Sequence, residues 1–254
     1  MKNPFYDENF IKALCEFSKG KILSLEPIAI IYKGNILKRA YSLPYGFYGG
    51  FKDNIDILLL KEYSKKFIKF YVYDFENRIE NVDFLKRKEV FTYILEVPES
   101  FEKFLKKVHK NRYKSIKKLY NKAKKYNISV VESLNYFDDF YKLYVKVYSK
   151  HHKVFKKDDI LKLSSFFSLL NVISDKYLGG ILIIKLNNYA LLWISGYEYF
   201  ENFSIGEFLF CIGVDWAINN KIEILDLGLE TTESVGFIKN SFGAIKYKYN
   251  VWFK

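Results

Sequence analysis

Lys239 leads the residues whose surroundings could support chemistry. It lies in the run Gly236-Phe237-Ile238-Lys239-Asn240-Ser241-Phe242-Gly243. An ammonium among Phe237, Ile238 and Phe242 can stay charged and hold a phosphate or a developing oxyanion; it can equally cap a short helix or reach solvent. Upstream, Ile224-Leu225-Asp226-Leu227-Gly228 reads as a short buried strand closed by glycine. Asp226 can orient Lys239 or a substrate amine, or serve the strand end alone. Glu230 and Glu233 follow in a polar loop and are candidate general bases. His109, His151 and His152 are flanked by lysines, without carboxylate or cysteine partners at ligand spacing, so they read as surface residues and no metal is expected.

A second concentration of chemistry is electrostatic. Residues 101–126 hold eleven lysines and arginines against Glu102, a balance of +10 out of the chain's +12. Phe101, Phe104, Leu105, Val108, Ile116, Leu119, Tyr120 and Ala123 mark an apolar stripe along the same stretch, predicting a basic helix over 99–126 with a break near Asn111. Acidic partners at i+4 are absent, so Lys107, Lys110, Arg112, Lys114, Lys117 and Lys118 suit a polyanion such as tRNA or a phosphorylated acceptor. The plainer reading is a solubilising face. No base-reading signature accompanies the charge.

The elements that must position these groups follow from periodicity. In the first half, Phe5, Ile11, Leu14 and Phe17 fit a helix closed by Gly20. Residues 27–32 and 35–43 read as strands, 44–50 as a glycine-rich loop, 55–66 as a helix and 67–73 as a strand. In the second half, strands are expected over 91–97 and 128–132, with helices over 137–150 and 158–170. A hairpin follows, 180–186 with 189–199, over Asn187-Asn188. Ser204 suits the N-cap of a helix over 205–219; then come a strand over 222–227, a short helix over 234–241 and a final strand over 245–253.

That order, with the Asp226-Leu227-Gly228 strand end and the Gly236-to-Gly243 element, resembles the C-terminal signature of the FemAB-like branch of the GNAT acyltransferases. Ser42-Leu43-Pro44-Tyr45-Gly46-Phe47-Tyr48-Gly49-Gly50 is similar to an upstream stretch of the same branch. The resemblance implies an α/β protein with a mixed sheet of α+β character in two GNAT-like halves. The N-terminal half, 1–90, is shortened or degenerate; 91–254 is the acyltransferase half. It implies a carbonyl held between splayed strands 189–199 and 222–227, with backbone N–H groups near Ser195 and Tyr197 facing the oxyanion. Tyr45, Tyr48, Gly49 and Gly50 would line the acceptor side, or form a turn packed with aromatics. Lys239, Asp226 and Glu233 would be catalytic.

The resemblance has one departure. The family's phosphate loop, at the start of the helix after the hairpin, opens on Arg or Gln and ends on a small residue. Here Phe203 leads, Ser204 and Gly206 fit, and Glu207 stands where the small residue belongs. A carboxylate there repels a pyrophosphate, which disfavours coenzyme A. The implied reaction is acyl or aminoacyl transfer from aminoacyl-tRNA to an amine, with no permanently bound cofactor. The alternatives are an acyl-coenzyme A-dependent N-acyltransferase and a non-catalytic RNA-binding protein.

Composition bounds the rest. Half of the residues are hydrophobic and 19% aromatic, ample for a packed core in a chain of 254 residues. Apolar runs fall far short of the ~20 residues a membrane span needs. Asp7 and Glu8 interrupt the place of a signal peptide. The expectation is a cytoplasmic protein with two reduced core cysteines, Cys15 and Cys211, and at most peripheral contact with a lipid-linked acceptor.

Overall fold

The computed structural model describes residues 5–35, 38–44, 47–48, 55–80, 82–149, 154–230 and 232–254. Among them the elements run α1 (Glu8–Ser18), β1 (Lys21–Ser24), β2 (Ile30–Lys33), β3 (Arg39–Tyr41), α2 (Ile57–Lys65), β4 (Lys69–Asp74) and β5 (Lys86–Glu96). Then follow α3 (Phe101–Lys107), α4 (Lys110–Lys125), β6 (Ser129–Glu132), α5 (Phe137–Tyr148), α6 (Lys157–Leu161), β7 (Phe167–Ile173) and β8 (Tyr177–Leu186). The chain continues through β9 (Tyr189–Tyr197), α7 (Ile205–Asn219), β10 (Ile224–Leu229), α8 (Glu233–Ser241) and β11 (Ile245–Phe253). They gather into two compact units, one of Met1–Phe91, Asp158–Ser165 and Tyr247–Lys254, the other of Thr92–Lys157 and Phe166–Lys246. This division is not the linear one expected at 90/91, because α6 and most of β11 associate with the first unit.

In the first unit the strands run β1-β2-β3-β4-β11, with β3 and β4 parallel and the other pairs antiparallel. Alternation along β4, Phe70, Val72 and Asp74 inward, puts one face against α2 residue Leu60 and neighbours. A cluster of Phe5, Phe10, Phe47, Tyr48, Phe75 and Tyr249 forms a second packed region. β1 was not anticipated, since Lys21-Ile22-Leu23-Ser24 is only half-buried and shows no alternation.

The second unit holds Lys239 and Asp226. Its strands run β5-β10-β9-β8-β7-β6, antiparallel except for β10 with β9. α7 packs across β7 to β10, its apolar residues on nearly every side joining the main core. The helix expected over 158–170 is only α6, a short 3₁₀ turn and the start of β7. Phe167 to Ile173 pairs with β6 on one side and β8 on the other, so its buried apolar run is that of an interior strand. Asn171 stitches it in place by donating to the carbonyls of Val131, Ser133 and Leu169. The basic helix breaks into α3 and α4 at Val108-His109, close to the expected point. α4 ends at Tyr126, with Asn127 following at φ 50°.

α5 seats itself directly on β9. A Cβ at Gly196 would collide with the backbone of Tyr144 and Leu143, so only a bare backbone admits the helix. Gly196→Ala should destabilise the fold by about 1–3 kcal/mol through overpacking, read as a lower midpoint in urea unfolding.

Candidate functional site

β9 and β10 start side by side and part. Ile224, Leu225 and Asp226 pair in parallel with Tyr189, Ala190 and Leu191, after which no pairing continues between them among the described residues. β9 runs on to Tyr197 along β8, while β10 runs on to Leu229 against β5. Two features mark the parting. Trp193 is the bulge residue of β9, set between Leu192, which pairs with Ile183, and Ile194, which pairs with Leu182. Gly228 takes φ +84°, and a Cβ there would lie 3.5 Å from the Leu192 carbonyl and 3.7 Å from Lys239 Nζ. The Lys239 ammonium therefore stands at the point where the strands separate. The parallel pair and its parting match the sequence-based expectation.

Lys239 is neither in solvent nor a cap. Its side chain folds back from α8 and is 5% exposed. Nζ donates to the carbonyls of Gly228 (2.9 Å) and Leu229 (2.8 Å). An ammonium has three hydrogens, so one remains beyond these two partners. Burial pushes Lys239 down to about 8, with Asp226 and Glu230 pulling the other way.

Asp226 is wholly buried and fully engaged. Oδ1 accepts from Thr92 Oγ1 and the Gly228 amide, both at 2.6 Å, and Oδ2 from the Tyr189 hydroxyl at 2.6 Å. Burial pushes its carboxyl up to about 7, opposed by the Gly228 amide and Lys239. Asp226 thus shapes the strand end from which Lys239 hangs, tying β5, β9 and β10 together. Thr92 and Tyr189 carried no signal in sequence: strand register alone brings them to Asp226.

Of the two candidate bases, the structure brings Glu230 to the site and leaves Glu233 outside. Glu233 is exposed in the first turn of α8, whose N-cap is Thr232. Its charge suits the helix dipole there, which corrects the catalytic reading. Glu230 is enclosed, its Oε2 2.6 Å from Lys246 Nζ and its carboxylate hydrogen-bonded to the Tyr93 hydroxyl. Both meet over Gly236, where a Cβ would fall 2.6 Å from Glu230 Oε1 and from Tyr93 Oη. That close approach is the physical reason for the glycine in the Gly236-to-Gly243 run.

The start of α7 is occupied by the protein itself. Ser204 precedes the helix but makes no side-chain cap bond. The Tyr197 ring lies over Gly206, with its hydroxyl 2.9 Å from where a Cβ would be. Glu207 pairs with Arg112 at 2.7 Å. Ser195 donates to the Tyr148 hydroxyl oxygen from its side chain and its backbone. The expected oxyanion donors were backbone N–H groups near Ser195 and Tyr197; the Tyr197 side chain itself, 38% exposed, lies against Gly206.

Arg112 also corrects the reading of the basic helix. Its guanidinium is drawn inward: Nε donates to Ser241 Oγ at 2.9 Å, and the group lies 4.9 Å from the Phe242 ring centroid. It joins α4 to α7 and α8 rather than facing an external phosphate. Lys103 and Lys106 are paired with Glu99 and Glu102, so acidic partners absent in one helical direction are present in the other. Lys107, Lys110, Lys114, Lys117 and Lys118 are exposed without a carboxylate partner among the described residues. Lys117 lies over the Tyr113 ring.

Tyr48, expected on the acceptor side, is 1% exposed and stacked on Phe75 at 4.6 Å, so it belongs to the aromatic core of the first unit. Tyr45, Gly49 and Gly50 lie outside the described residues. Cys211 is buried and Cys15 half-buried, and both are free thiols. No described helix is long and apolar enough to cross a membrane.

No known protein family profile and no curated protein sequence matches the chain. Solved structures do. FemX superposes with a TM-score of 0.63 at 8% identity, over 94% of this chain and 90% of its own. The C-terminal domain of a protein assigned as a lysylphosphatidylglycerol synthetase, from Agrobacterium fabrum, gives 0.66 at 10% identity, over 98% and 92%. A tandem GNAT protein from the clavulanic acid biosynthesis pathway gives 0.54 at 9% identity, over 97% and 94%. With the parallel strands that part at Gly228 and the α7 crossover between them, these likenesses show that the chain has a GNAT-like fold, shared with FemX and with the tandem GNAT protein.

Proposed function

We propose that the second unit transfers an acyl or aminoacyl group to an amine, with Lys239 as the cation at the reacting carbonyl. The observation that carries this reading is the buried ammonium at the strand parting, with one hydrogen left after two carbonyl bonds. A donor carbonyl placed between β9 and β10 would meet it. The acceptor nitrogen attacks that carbon, and the N–C bond forms as the ester C–O bond breaks. The proton released from nitrogen goes to the leaving oxygen. Lys239 steadies the negative charge on the carbonyl oxygen through the tetrahedral stage. Alignment of amine and carbonyl can supply ~7–11 kcal/mol of the barrier reduction.

Aminoacyl-tRNA is the favoured donor. The α7 start that a pyrophosphate would need is covered by Tyr197, with Glu207 there engaged by Arg112, while α4 presents lysines without acidic partners among the described residues. The rival donor, acyl-coenzyme A, draws on Gly206 and on the uncapped start of α7. Titration calorimetry separates them: acetyl-coenzyme A should bind no tighter than ~1 mM, about −4 kcal/mol. Low-micromolar binding would put coenzyme A first. Transfer itself is tested by protein-dependent discharge of radiolabelled aminoacyl-tRNA on adding a panel of amines. Tight RNA binding with no discharge, and no effect of Lys239 variants, would favour a non-catalytic RNA-binding protein.

A further inference from the structure

The turn from α8 into β11 is braced against the α3–α4 junction. The His109 amide donates to the Ser241 carbonyl at 3.3 Å, Arg112 holds Ser241 Oγ, and a Cβ at Gly243 would lie 3.4 Å from the Lys107 carbonyl. This corner nevertheless turns two large apolar side chains to solvent. Phe237 is 74% exposed and Ile245 65% exposed. Phe237 shares the outer face of α8 with Glu233 and Asn240. Beside the corner, the α3–α4 junction offers Lys107 and Lys110, exposed and without a carboxylate partner among the described residues; the nearby acids Glu99 and Glu102 are bound to Lys103 and Lys106. Exposed apolar groups beside lysines without carboxylate partners among the described residues match an interface of apolar acyl chains beneath anionic headgroups.

We propose that this corner docks the protein on an anionic membrane surface, Phe237 and Ile245 entering the headgroup boundary while Lys107 and Lys110 engage lipid phosphates. RNA is the less suitable occupant of this corner, because an isoleucine offers no π-face on which a base could stack. The site does not depend on the transfer reaction.

Co-sedimentation of the full chain with vesicles tests it, using phosphatidylcholine alone and phosphatidylcholine mixed with phosphatidylglycerol. Binding is expected only to the anionic vesicles. Lys107→Glu with Lys110→Glu should weaken it by about fivefold or more per residue. Phe237→Ser with Ile245→Ser should release the protein from vesicles while leaving tRNA binding intact. Phe237→Trp should keep binding and gain a blue-shifted emission on anionic vesicles. The proposal is overturned if wild type ignores anionic vesicles or if the serine pair binds them as well as wild type. It is equally overturned if the emission of the Phe237→Trp variant does not move, or if the serine pair loses tRNA and vesicles alike, which would make the corner a nucleic-acid surface.

Discussion

Lys239→Ala is expected to lower turnover by more than tenfold, at least ~1.4 kcal/mol of barrier, while tRNA affinity changes little. The lysine lies under α8 against the carbonyls of Gly228 and Leu229, so its charge acts at the strand parting and not on a distant phosphate. Single-turnover rates and filter binding on the same preparation separate the two effects. Equal loss of both would make it one more phosphate contact; full activity would remove it from the chemistry.

The pH profile sharpens this test. With Lys239 held down to about 8, activity that needs its ammonium should fall as pH rises through that value. Lys239→Arg, if active, should carry activity to higher pH, since a guanidinium does not titrate there. Stability moves the opposite way. Between about 8 and the ordinary lysine value of 10.5 the unfolded chain holds a proton the folded one has lost, so this group makes folding more favourable as pH rises. Asp226, raised from 3.8 to about 7, holds its proton longer in the folded state; its contribution therefore declines as pH rises across that window.

Reversing Lys114, Lys117 and Lys118 to Glu should weaken tRNA binding strongly and flatten its salt dependence, each lost phosphate contact lowering the slope by ~0.9 for duplex. All three are exposed on α4, and none has an acidic partner to release among the described residues, so the fold should tolerate the change. Arg112→Glu is the contrasting case. It would set two carboxylates face to face at Glu207 and free Ser241, loosening α4 from α7 and α8. Its loss of function should come with a lower unfolding midpoint, whereas the triple reversal should leave the midpoint close to wild type. A triple variant that binds tRNA at wild-type strength and salt slope would reduce the basic face of α4 to a solubilising surface.

The hairpin, the α7 helix, the strand that carries Gly228 and the short Lys239 helix were legible in sequence because each has a local cause. Asn187 takes the positive φ of a turn, Gly228 takes φ +84°, and periodicity separates helix from strand. The concentration of charge on α3 and α4 was equally open, being a matter of composition. Local rules failed where two elements shared one apolar run. Residues 158–170 carry hydrophobic spacing that suits a helix, and only pairing with β6 and β8 makes the end of that stretch a strand. Partner choice in the site was likewise tertiary. Glu230 rather than Glu233 meets Lys246 and Tyr93 because Gly236 lets α8 approach that closely. Thr92 and Tyr189 meet Asp226 through register across three strands, and Arg112 turns inward because Glu207, Ser241 and Phe242 converge on it. Residue type and spacing determined which groups could react; tertiary contacts, some between residues more than a hundred positions apart, decided which of them stand together.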